Sequence, residues 1–221
     1  MRSKDQRPLP RVVASSSDLD TPGVVSNVPG NYFDKHGSRN PGVRLLMQRF
    51  HSALFDEINA HEPDSILDVG CGEGRTTRFV ADRFSVEIHG AELEGHLLAE
   101  ARVLVPEARF VCASVYALPY PDRAFDVVVA TEVLEHLHDP SGAVRELLRV
   151  ARKAVILTVP HEPWWRLANM MRGKYLSDFG NTPGHVQHWT RTGFVRLLAL
   201  QTNAPRVRGV GLWTFATVAR A

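Results

Sequence analysis

The chain has 221 residues, of which 44% are hydrophobic and 23% charged, and this composition is typical of one globular domain with a substantial core. Its formal net charge of +2 is too small to indicate nucleic acid or an anionic membrane as a partner, although it excludes neither. Two cysteines, Cys71 and Cys112, are too few for a disulfide framework, so we expect a cytoplasmic protein. No apolar run is long enough to span a bilayer.

The N-terminal part of the chain is polar and lacks the apolar block of a signal peptide. We expect residues 1–29 to form a flexible tail and residues 30–221 to form one domain. Residues 41–60 place apolar side chains at steps of three and four, which predicts an amphipathic helix.

From Ser65 onward, short apolar strands alternate with helices. We expect strands over 65–70, 86–93, 108–113, 125–131 and 153–159. We expect helices over 76–84, from the end of the second strand to about Arg102, and over 141–150. A helix near 190–200 and two strands over 204–211 and 212–220 predict a terminal hairpin on the sheet edge. The pattern predicts an α/β fold with a Rossmann-like, seven-stranded, mostly parallel sheet and helices on both faces. Such a sheet binds ligands at the carboxyl ends of its strands, near the switch point of the strand order.

Residues 160–190 interrupt this alternation, and we call them the lid segment. A long insertion after the fifth strand is typical of a lid or substrate loop, with a helix packed on the core as the alternative. The lid segment would have an apolar inner surface formed by Trp164, Trp165, Met170, Met171 and Tyr175. Such a surface suits an aromatic or lipid-like substrate; the alternative is that these residues form part of the core or an interface. We expect Arg166, Arg172 and Lys174 on a solvated face; if they turned inward, they would favour an anionic substrate.

The strongest motif is DVGCGEG over residues 68–74, where the first strand turns into a helix. Glycines allow a sharp bend and a close approach to a ligand, with helix N–H groups facing it. The dinucleotide spacing G-x-G-x-x-G would place its third glycine at Arg75, so the spacing is wrong for NAD. Glu92 ends the second strand, where a carboxylate can accept hydrogen bonds from both hydroxyls of a ribose.

The segments ILDVGCGEG, GAELEG and ALPYPDRAFDVVVATEVLEHLHDP resemble the class I S-adenosylmethionine-dependent methyltransferases, most of all the branch with the ubiquinone and menaquinone biosynthesis enzymes. The resemblance implies that S-adenosylmethionine is the cofactor. It implies contacts to the methionine moiety from Gly70, Cys71, Gly72 and Gly74, with Asp68 holding the amino group directly or through water. It also implies contacts to the ribose from Glu92 with Leu93 beside it, to the adenine from Ser114 and Val115, and to the sulfonium side from Thr131, Glu132 and Val133. Ser114 stands where the family usually has aspartate, so adenine recognition would rest more on backbone groups.

Methyl transfer is an in-line displacement, for which the protein aligns the reactants and excludes water, and a hydroxyl or ammonium acceptor must also lose a proton. On a helix, Glu132, Glu135 and His136 would share a face and could hold Mg²⁺ or Mn²⁺. The E-x-x-E-H pattern resembles the metal site of ubiquinone-pathway O-methyltransferases and small-RNA 2′-O-methyltransferases. The sequence LEHL also occurs in relatives that bind no metal, where the histidine makes an ordinary hydrogen bond.

The other candidates are histidines acting as a general base. The candidates are His136, His161, His185 and His188, because the ordinary pKa of histidine lies near neutrality, and we expect at least one of the three in the lid segment to be structural. We rank His136 and His161 first.

We expect methyl transfer to a small molecule in a biosynthetic reaction, with an oxygen of a phenol or hydroxyl as the favoured acceptor atom and nitrogen or carbon next. Nucleic acid is not expected as a partner, and the oligomeric state stays open. One alternative is methylation of RNA or protein, to which only Arg39, Arg44 and Arg49 hint. A second is a non-catalytic partner subunit that binds the cofactor, and a nicotinamide enzyme ranks last.

Overall fold

The computed structural model describes residues 40–202 and 205–220, so the tail expected over residues 1–29 lies outside the described residues. The strands are β1 (Ser65–Val69), β2 (Glu87–Glu92), β3 (Arg109–Cys112), β4 (Phe125–Thr131), β5 (Ala151–Pro160), β6 (Arg206–Val210) and β7 (Trp213–Ala219). The helices are α1 (Pro41–Asn59), α2 (Arg75–Ala81), α3 (Gly95–Leu104), α4 (Pro140–Val150), α5 (Trp164–Met171) and α6 (Arg191–Ala199).

All seven strands form a single sheet in the order β3-β2-β1-β4-β5-β7-β6. Strands β1 to β5 are parallel, and β7 runs antiparallel between β5 and β6. This arrangement confirms the predicted Rossmann-like α/β fold, and the terminal hairpin lies at the sheet edge with β6 outermost. The strand order reverses between β1 and β4, so the carboxyl ends of these two strands form the switch point.

The hydrophobic core lies on both faces of the sheet because neighbouring strand residues point to opposite sides. Ile66 packs with Leu54 and Ile58 of α1 on one face. The next residue, Leu67, packs in the cluster that includes Leu147 of α4 on the other face. The parallel strands are therefore buried on both sides, which explains why their sequences are almost continuously apolar.

The lid segment packs back onto the domain through its backbone. It consists of α5, a 3₁₀ turn over Leu176–Asp178 and an extended stretch that leads to α6. The amides of Val186 and Gln187 both donate to the carbonyl of Glu135, at 2.9 and 3.0 Å, and the amide of Glu162 donates to the carbonyl of Trp189 at 3.0 Å. The lid segment is thereby tied to the turn that follows β4.

The helices of the described part of the chain are either too short or too polar to cross a bilayer.

Candidate functional site

A cavity of about 290 Å³ opens at the carboxyl ends of β1, β2 and β4, at the switch point of the sheet. Ten of the twelve residues predicted to contact the cofactor line it: Gly70, Cys71, Gly72, Glu92, Leu93, Ser114, Val115, Thr131, Glu132 and Val133. The other two, Asp68 and Gly74, do not line it. Met47 and Phe50 of α1 form part of the wall, although the sequence predicted only a packing role for this helix.

The glycine loop between β1 and α2 uses each glycine differently. Gly70, Gly72 and Gly74 have φ angles of 71°, 53° and 85°, which side-chain-bearing residues rarely adopt. A Cβ on Gly70 would overlap with Val133 Cγ2, and one on Gly74 would lie 3.0 Å from Ala101 Cβ of α3. A Cβ on Gly72 would meet nothing within 4 Å. Gly70 and Gly74 therefore permit packing, whereas Gly72 faces open space at the cavity.

The carboxylate of Glu92 connects the end of β2 to the glycine loop. Its Oε2 accepts from the amide of Gly72 at 2.9 Å, and its Oε1 accepts from the amides of Leu93 and Glu94 at 2.7 and 3.1 Å. A carboxylate has about four lone-pair positions, so Oε2 retains accepting capacity toward the cavity. Glu92 can therefore shape the loop and also accept hydrogen bonds from a ligand.

Asp68 lies beneath the glycine loop and is only 2% exposed. The Thr77 hydroxyl donates to its Oδ2 at 2.6 Å, and its Oδ1 has no hydrogen-bond partner within the described residues. Burial, together with the negative charge of Glu92, raises the pKa of Asp68 to about 7, against the lowering effect of the Thr77 hydrogen bond. Asp68 does not line the cavity, so its expected contact with the cofactor amino group, directly or through water, stays a prediction.

Cys71 lines the cavity but is also packed into the domain. A Cβ on Gly90 of β2 would lie 2.9 Å from Cys71 Sγ, so the thiol fits into a space that this glycine leaves. Burial raises the pKa of the Cys71 thiol far above its usual range. The thiol therefore stays protonated and contributes shape rather than nucleophilic chemistry.

Ser114 and Val115 follow β3 and are buried at the cavity wall. Ser114 Oγ accepts from the amide of Tyr116 at 3.3 Å, which fixes the turn and leaves the hydroxyl proton to donate. The serine found in place of the family's aspartate is therefore a neutral group at the predicted adenine position.

The residues after β4 depart from the expected helix. Glu132 has a φ of 56°, and its amide donates to the carbonyl of Thr158 at 3.0 Å. Only Leu134–His136 form a short 3₁₀ turn, so the prediction that Glu132, Glu135 and His136 share a helical face is wrong. Trp213 Nε1 instead donates to Glu132 Oε1 at 3.0 Å. The local backbone of Glu132 is strained, and such strain is common at functional sites.

Two predicted histidines meet at the cavity. His136 Nδ1 lies 2.9 Å from the carbonyl of Gly184, and because a carbonyl only accepts, Nδ1 carries a proton. The rings of His136 and His185 are 5.0 Å apart at 79°, and His185 stacks on Trp165. Ligand atoms of Glu135, His136 and His185 all lie within 4.8 Å of one another. His185 thus takes the place in this cluster that the sequence assigned to Glu132.

The remaining histidine candidates lie away from the cavity. His161 does not line it, and burial followed by the charge of Arg191 lowers the pKa of His161. His188 Nε2 lies 2.7 Å from Asn181 Oδ1, within the lid segment. The structure therefore contradicts the expectation that His161 faces the substrate.

The lid segment contributes a polar wall rather than the uniformly apolar one expected. Trp164 and Met171 are exposed, whereas the inner wall carries Trp165, Asn169, Arg172, Lys174 and Tyr175. Asn169 Nδ2 donates to the carbonyl of Gly180 at 2.9 Å, and Asn169 Oδ1 accepts from the Arg172 guanidinium. Arg172 and Lys174 thus border the cavity, although the sequence placed both on a solvated face. The spacing of Trp165 and Asn169, four residues apart on α5, was the available signal for this inner face.

Comparisons with known proteins agree with this geometry. The family model described as "Methyltransferase domain" matches residues 67–159. Ajmaline N-methyltransferase from Rauvolfia serpentina is 33% identical over 140 residues, which cover 60% of this chain and 48% of that protein. The chloroplastic tocopherol O-methyltransferase from Arabidopsis thaliana is 31% identical over 172 residues, which cover 68% of this chain and 49% of that protein. The chain thus spans about half the length of these curated relatives.

A solved structure shows the same fold. The plantazolicin methyltransferase BpumL, in complex with a triazolic desmethylPZN analog and SAH, superposes with a TM-score of 0.66 at 14% identity, covering 82% of this chain and 92% of that one. The sheet order, the glycine loop and the match over 67–159 lead to one assignment. The comparisons therefore identify residues 67–159 as a methyltransferase domain similar to the type 11 branch of the class I S-adenosylmethionine-dependent methyltransferases.

Proposed function

We propose that this protein transfers a methyl group from S-adenosylmethionine to a small-molecule acceptor, and that the acceptor atom is an oxygen of a phenol or hydroxyl on an aromatic or lipid-like metabolite. One observation carries the proposal. The glycine loop, Glu92 and the His136–His185 pair all border the same cavity, so cofactor-binding groups and a proton acceptor share one space.

The residues at the switch point fit this cofactor. The open space at Gly72 admits a ligand against the loop backbone, and the remaining accepting capacity of Glu92 suits the two hydroxyls of a ribose. Ser114 and Val115 would border the adenine, and Thr131 to Val133 would border the sulfonium side. When bound, S-adenosylmethionine supplies a methyl group on an activated sulfonium leaving group. BpumL, which has the same fold, holds SAH, and this supports the choice of cofactor.

The acceptor side of the cavity supplies a base. With the proton on Nδ1, the neutral imidazole of His136 is basic at Nε2, so it can take the proton of an acceptor hydroxyl as the new bond to carbon forms. His185 packs against His136 and Trp165 and acts as a positioning residue. The wall of Trp165, Tyr175 and Phe50 suits an aromatic or apolar acceptor, and it limits the entry of water.

The relatives differ in the atom named for methylation, since ajmaline N-methyltransferase and tocopherol O-methyltransferase are both similar to this chain. The proposal of oxygen therefore rests on the histidine pair. A hydroxyl must lose its proton during the reaction, whereas a neutral amine attacks without prior loss of a proton, so a fixed base contributes most with a hydroxyl acceptor.

The Mg²⁺ site considered from the sequence does not fit the structure. Trp213 engages the carboxylate of Glu132, and the cluster that forms has one carboxylate and two imidazoles. Mg²⁺ prefers oxygen ligands, whereas this donor set suits first-row transition ions better. We therefore assign His136 as a general base, and we propose no metal-dependent step. Turnover that falls in EDTA and returns with Mg²⁺ would contradict this assignment.

The test has two stages. Titration calorimetry should show that the purified protein binds S-adenosylmethionine and S-adenosylhomocysteine, and the absence of any heat of binding would refute the proposal. A screen of phenols, quinol precursors, glycosides and amines should then yield S-adenosylhomocysteine with hydroxyl acceptors. Cofactor binding without turnover on any acceptor would favour the non-catalytic alternative, and salt-dependent binding of RNA would favour RNA as substrate. The cytoplasmic location and the domain over 30–221 stay predictions.

A further inference from the structure

The outer surface of the lid segment exposes a concentration of large apolar side chains. Five of the ten large hydrophobic residues that are exposed among the described residues lie within residues 164–179. They are Trp164 (55% exposed), Leu167 (40%), Met171 (76%), Leu176 (61%) and Phe179 (73%), and we call them the lid patch. Single exposed apolar residues are ordinary on protein surfaces, but a cluster of this kind indicates a binding surface.

Three members of the lid patch lie on α5, and the loop that carries the other two packs on the same helix. Trp164, Leu167 and Met171 are spaced at i, i+3 and i+7, so they share one face of α5. Arg166 Nε donates to the carbonyl of Phe179 at 2.9 Å, which holds the following loop against the same helix. A Cβ on Gly180 would overlap with the carbonyl oxygen of Arg166, so the loop backbone lies directly on α5. The backbone at Phe179 is thereby held against α5, and its exposed side chain lies on the outer side of the lid segment.

The opposite face of α5 forms the cavity wall. Trp165 and Asn169 are both buried and line the cavity. They are four residues apart on α5 and therefore share a face that points away from the lid patch. One short helix therefore separates the cavity from the exposed apolar surface. Whatever binds the lid patch lies within one helix diameter of the site, roughly 10 Å.

The charges around the lid patch select the partner. Residues 164–179 contain three cations, Arg166, Arg172 and Lys174, and one acidic residue, Asp178. Arg166 and Arg172 directly precede or follow members of the lid patch in the sequence, whereas Arg172 and Lys174 also border the cavity, so these two lie between its mouth and the outer surface. Aromatic and aliphatic side chains on one face with arginine and lysine beside them are typical of helices that lie in the plane of an anionic membrane surface. A second copy of this surface would bring the same positive charges together, which disfavours self-association through the lid patch.

We propose that the lid patch docks on a bilayer that contains anionic lipids, with α5 lying in the headgroup region and its apolar face toward the acyl chains. The mouth of the cavity would then lie next to the membrane, where a lipid-like acceptor is concentrated; this consequence rests on the proposed function, whereas the docking itself does not.

Vesicle flotation and tryptophan fluorescence test the docking on the full chain. The protein should bind vesicles of phosphatidylcholine mixed with phosphatidylglycerol, more weakly at high salt and on phosphatidylcholine alone. Trp164 is the exposed tryptophan beside the buried Trp165 and Trp213, so binding should shift emission to shorter wavelength in the wild type and not in W164F. The double variant L167Q/M171Q should lose at least about tenfold in vesicle partitioning, because it removes two apolar anchors.

The matched control is V103Q/L200Q, which changes two other exposed apolar residues outside the lid segment, 84% and 75% exposed. This variant should bind vesicles like the wild type. Equal loss in both double variants, or no binding to mixed vesicles, would overturn the proposal. So would a dimer in sedimentation that L167Q/M171Q abolishes without any vesicle binding. Calorimetry with S-adenosylhomocysteine on the same variants tests the proposed function separately, since neither pair lines the cavity.

Discussion

Two alanine substitutions in the glycine loop should separate folding from cofactor binding. Gly70 and Gly72 both have positive φ angles, so either substitution forces alanine into the left-handed region, at a cost of about 1–2 kcal/mol. The two sites differ in what the new methyl group meets. At Gly70 it overlaps with Val133 Cγ2, whereas at Gly72 it enters space that is open for at least 4 Å.

The expected magnitudes follow from this difference. Overpacking against Val133 adds about 1–3 kcal/mol, so Gly70→Ala should reduce the free energy of unfolding by roughly 2–5 kcal/mol in total. Gly72→Ala should reduce it by only about 1–2 kcal/mol. Because its methyl group fills space beside the loop amides, Gly72→Ala should instead weaken S-adenosylhomocysteine binding by at least about tenfold, or 1.4 kcal/mol.

Urea unfolding gives the stabilities and titration calorimetry gives the dissociation constants, both on the same preparations. The double variant G70A/V133A serves as the internal control, since removing the methyl groups of Val133 should recover the overpacking part of the loss and leave the backbone part. The reasoning is refuted if Gly72→Ala binds S-adenosylhomocysteine with wild-type affinity. It is also refuted if Gly70→Ala is as stable as Gly72→Ala, since the contact with Val133 would then be irrelevant.

Three further predictions concern single side chains. Glu92→Gln should raise the dissociation constant for S-adenosylhomocysteine at least about tenfold in calorimetry, with a smaller effect on the melting temperature, because the amide keeps one accepting oxygen for the loop. Burial raises the pKa of Asp68 from 3.8 to about 7, so the folded state binds this proton more tightly than the unfolded chain. The stabilisation from this proton is complete below about pH 4 and is lost as pH rises through 7, and it amounts to at most about 4 kcal/mol. In Asp68→Asn the free energy of unfolding, measured by urea denaturation across this pH range, should lack this pH dependence. A variant curve parallel to that of the wild type would contradict the prediction. His136→Ala should lower kcat about 100-fold or more without changing cofactor affinity, whereas the control His161→Ala should leave kcat unchanged, and equal effects would remove His136 as the base.

Most of the residues proposed for the cofactor could be predicted to lie at one edge of the sheet, because their signals are local. Strands β1 to β5 were predicted within two residues of their observed bounds, since parallel strands buried on both faces leave continuous apolar runs. The bend at Gly70 to Gly74 and the acid at Glu92 are each determined by a few consecutive residues. Where such motifs follow strands of one parallel sheet, the topology brings them to the same edge, and no long-range information is needed.

The acceptor half could not be predicted because its contacts join distant segments. Trp213 and Glu132 are 81 residues apart, and they meet only because β7 inserts antiparallel between β5 and β6. From the sequence alone, the E-x-x-E-H spacing favours a helix, and a helix would place Glu132 beside His136. The strand end, which holds the amide of Glu132 at the carbonyl of Thr158, prevails over the local preference.

The position of the base depends on the position of the lid segment. The carbonyl of Gly184 fixes the tautomer of His136, and the next residue, His185, packs against the imidazole. The carbonyl of Glu135 in turn receives two lid amides, so each side of this contact orients the other. A lid that moved away would therefore release His136 from the tautomer with a basic Nε2, while Gly72 and Glu92 would keep their places. If His136 is the base as proposed, we expect cofactor binding to persist with the lid displaced, whereas proton removal would require the lid to be in contact with the turn after β4.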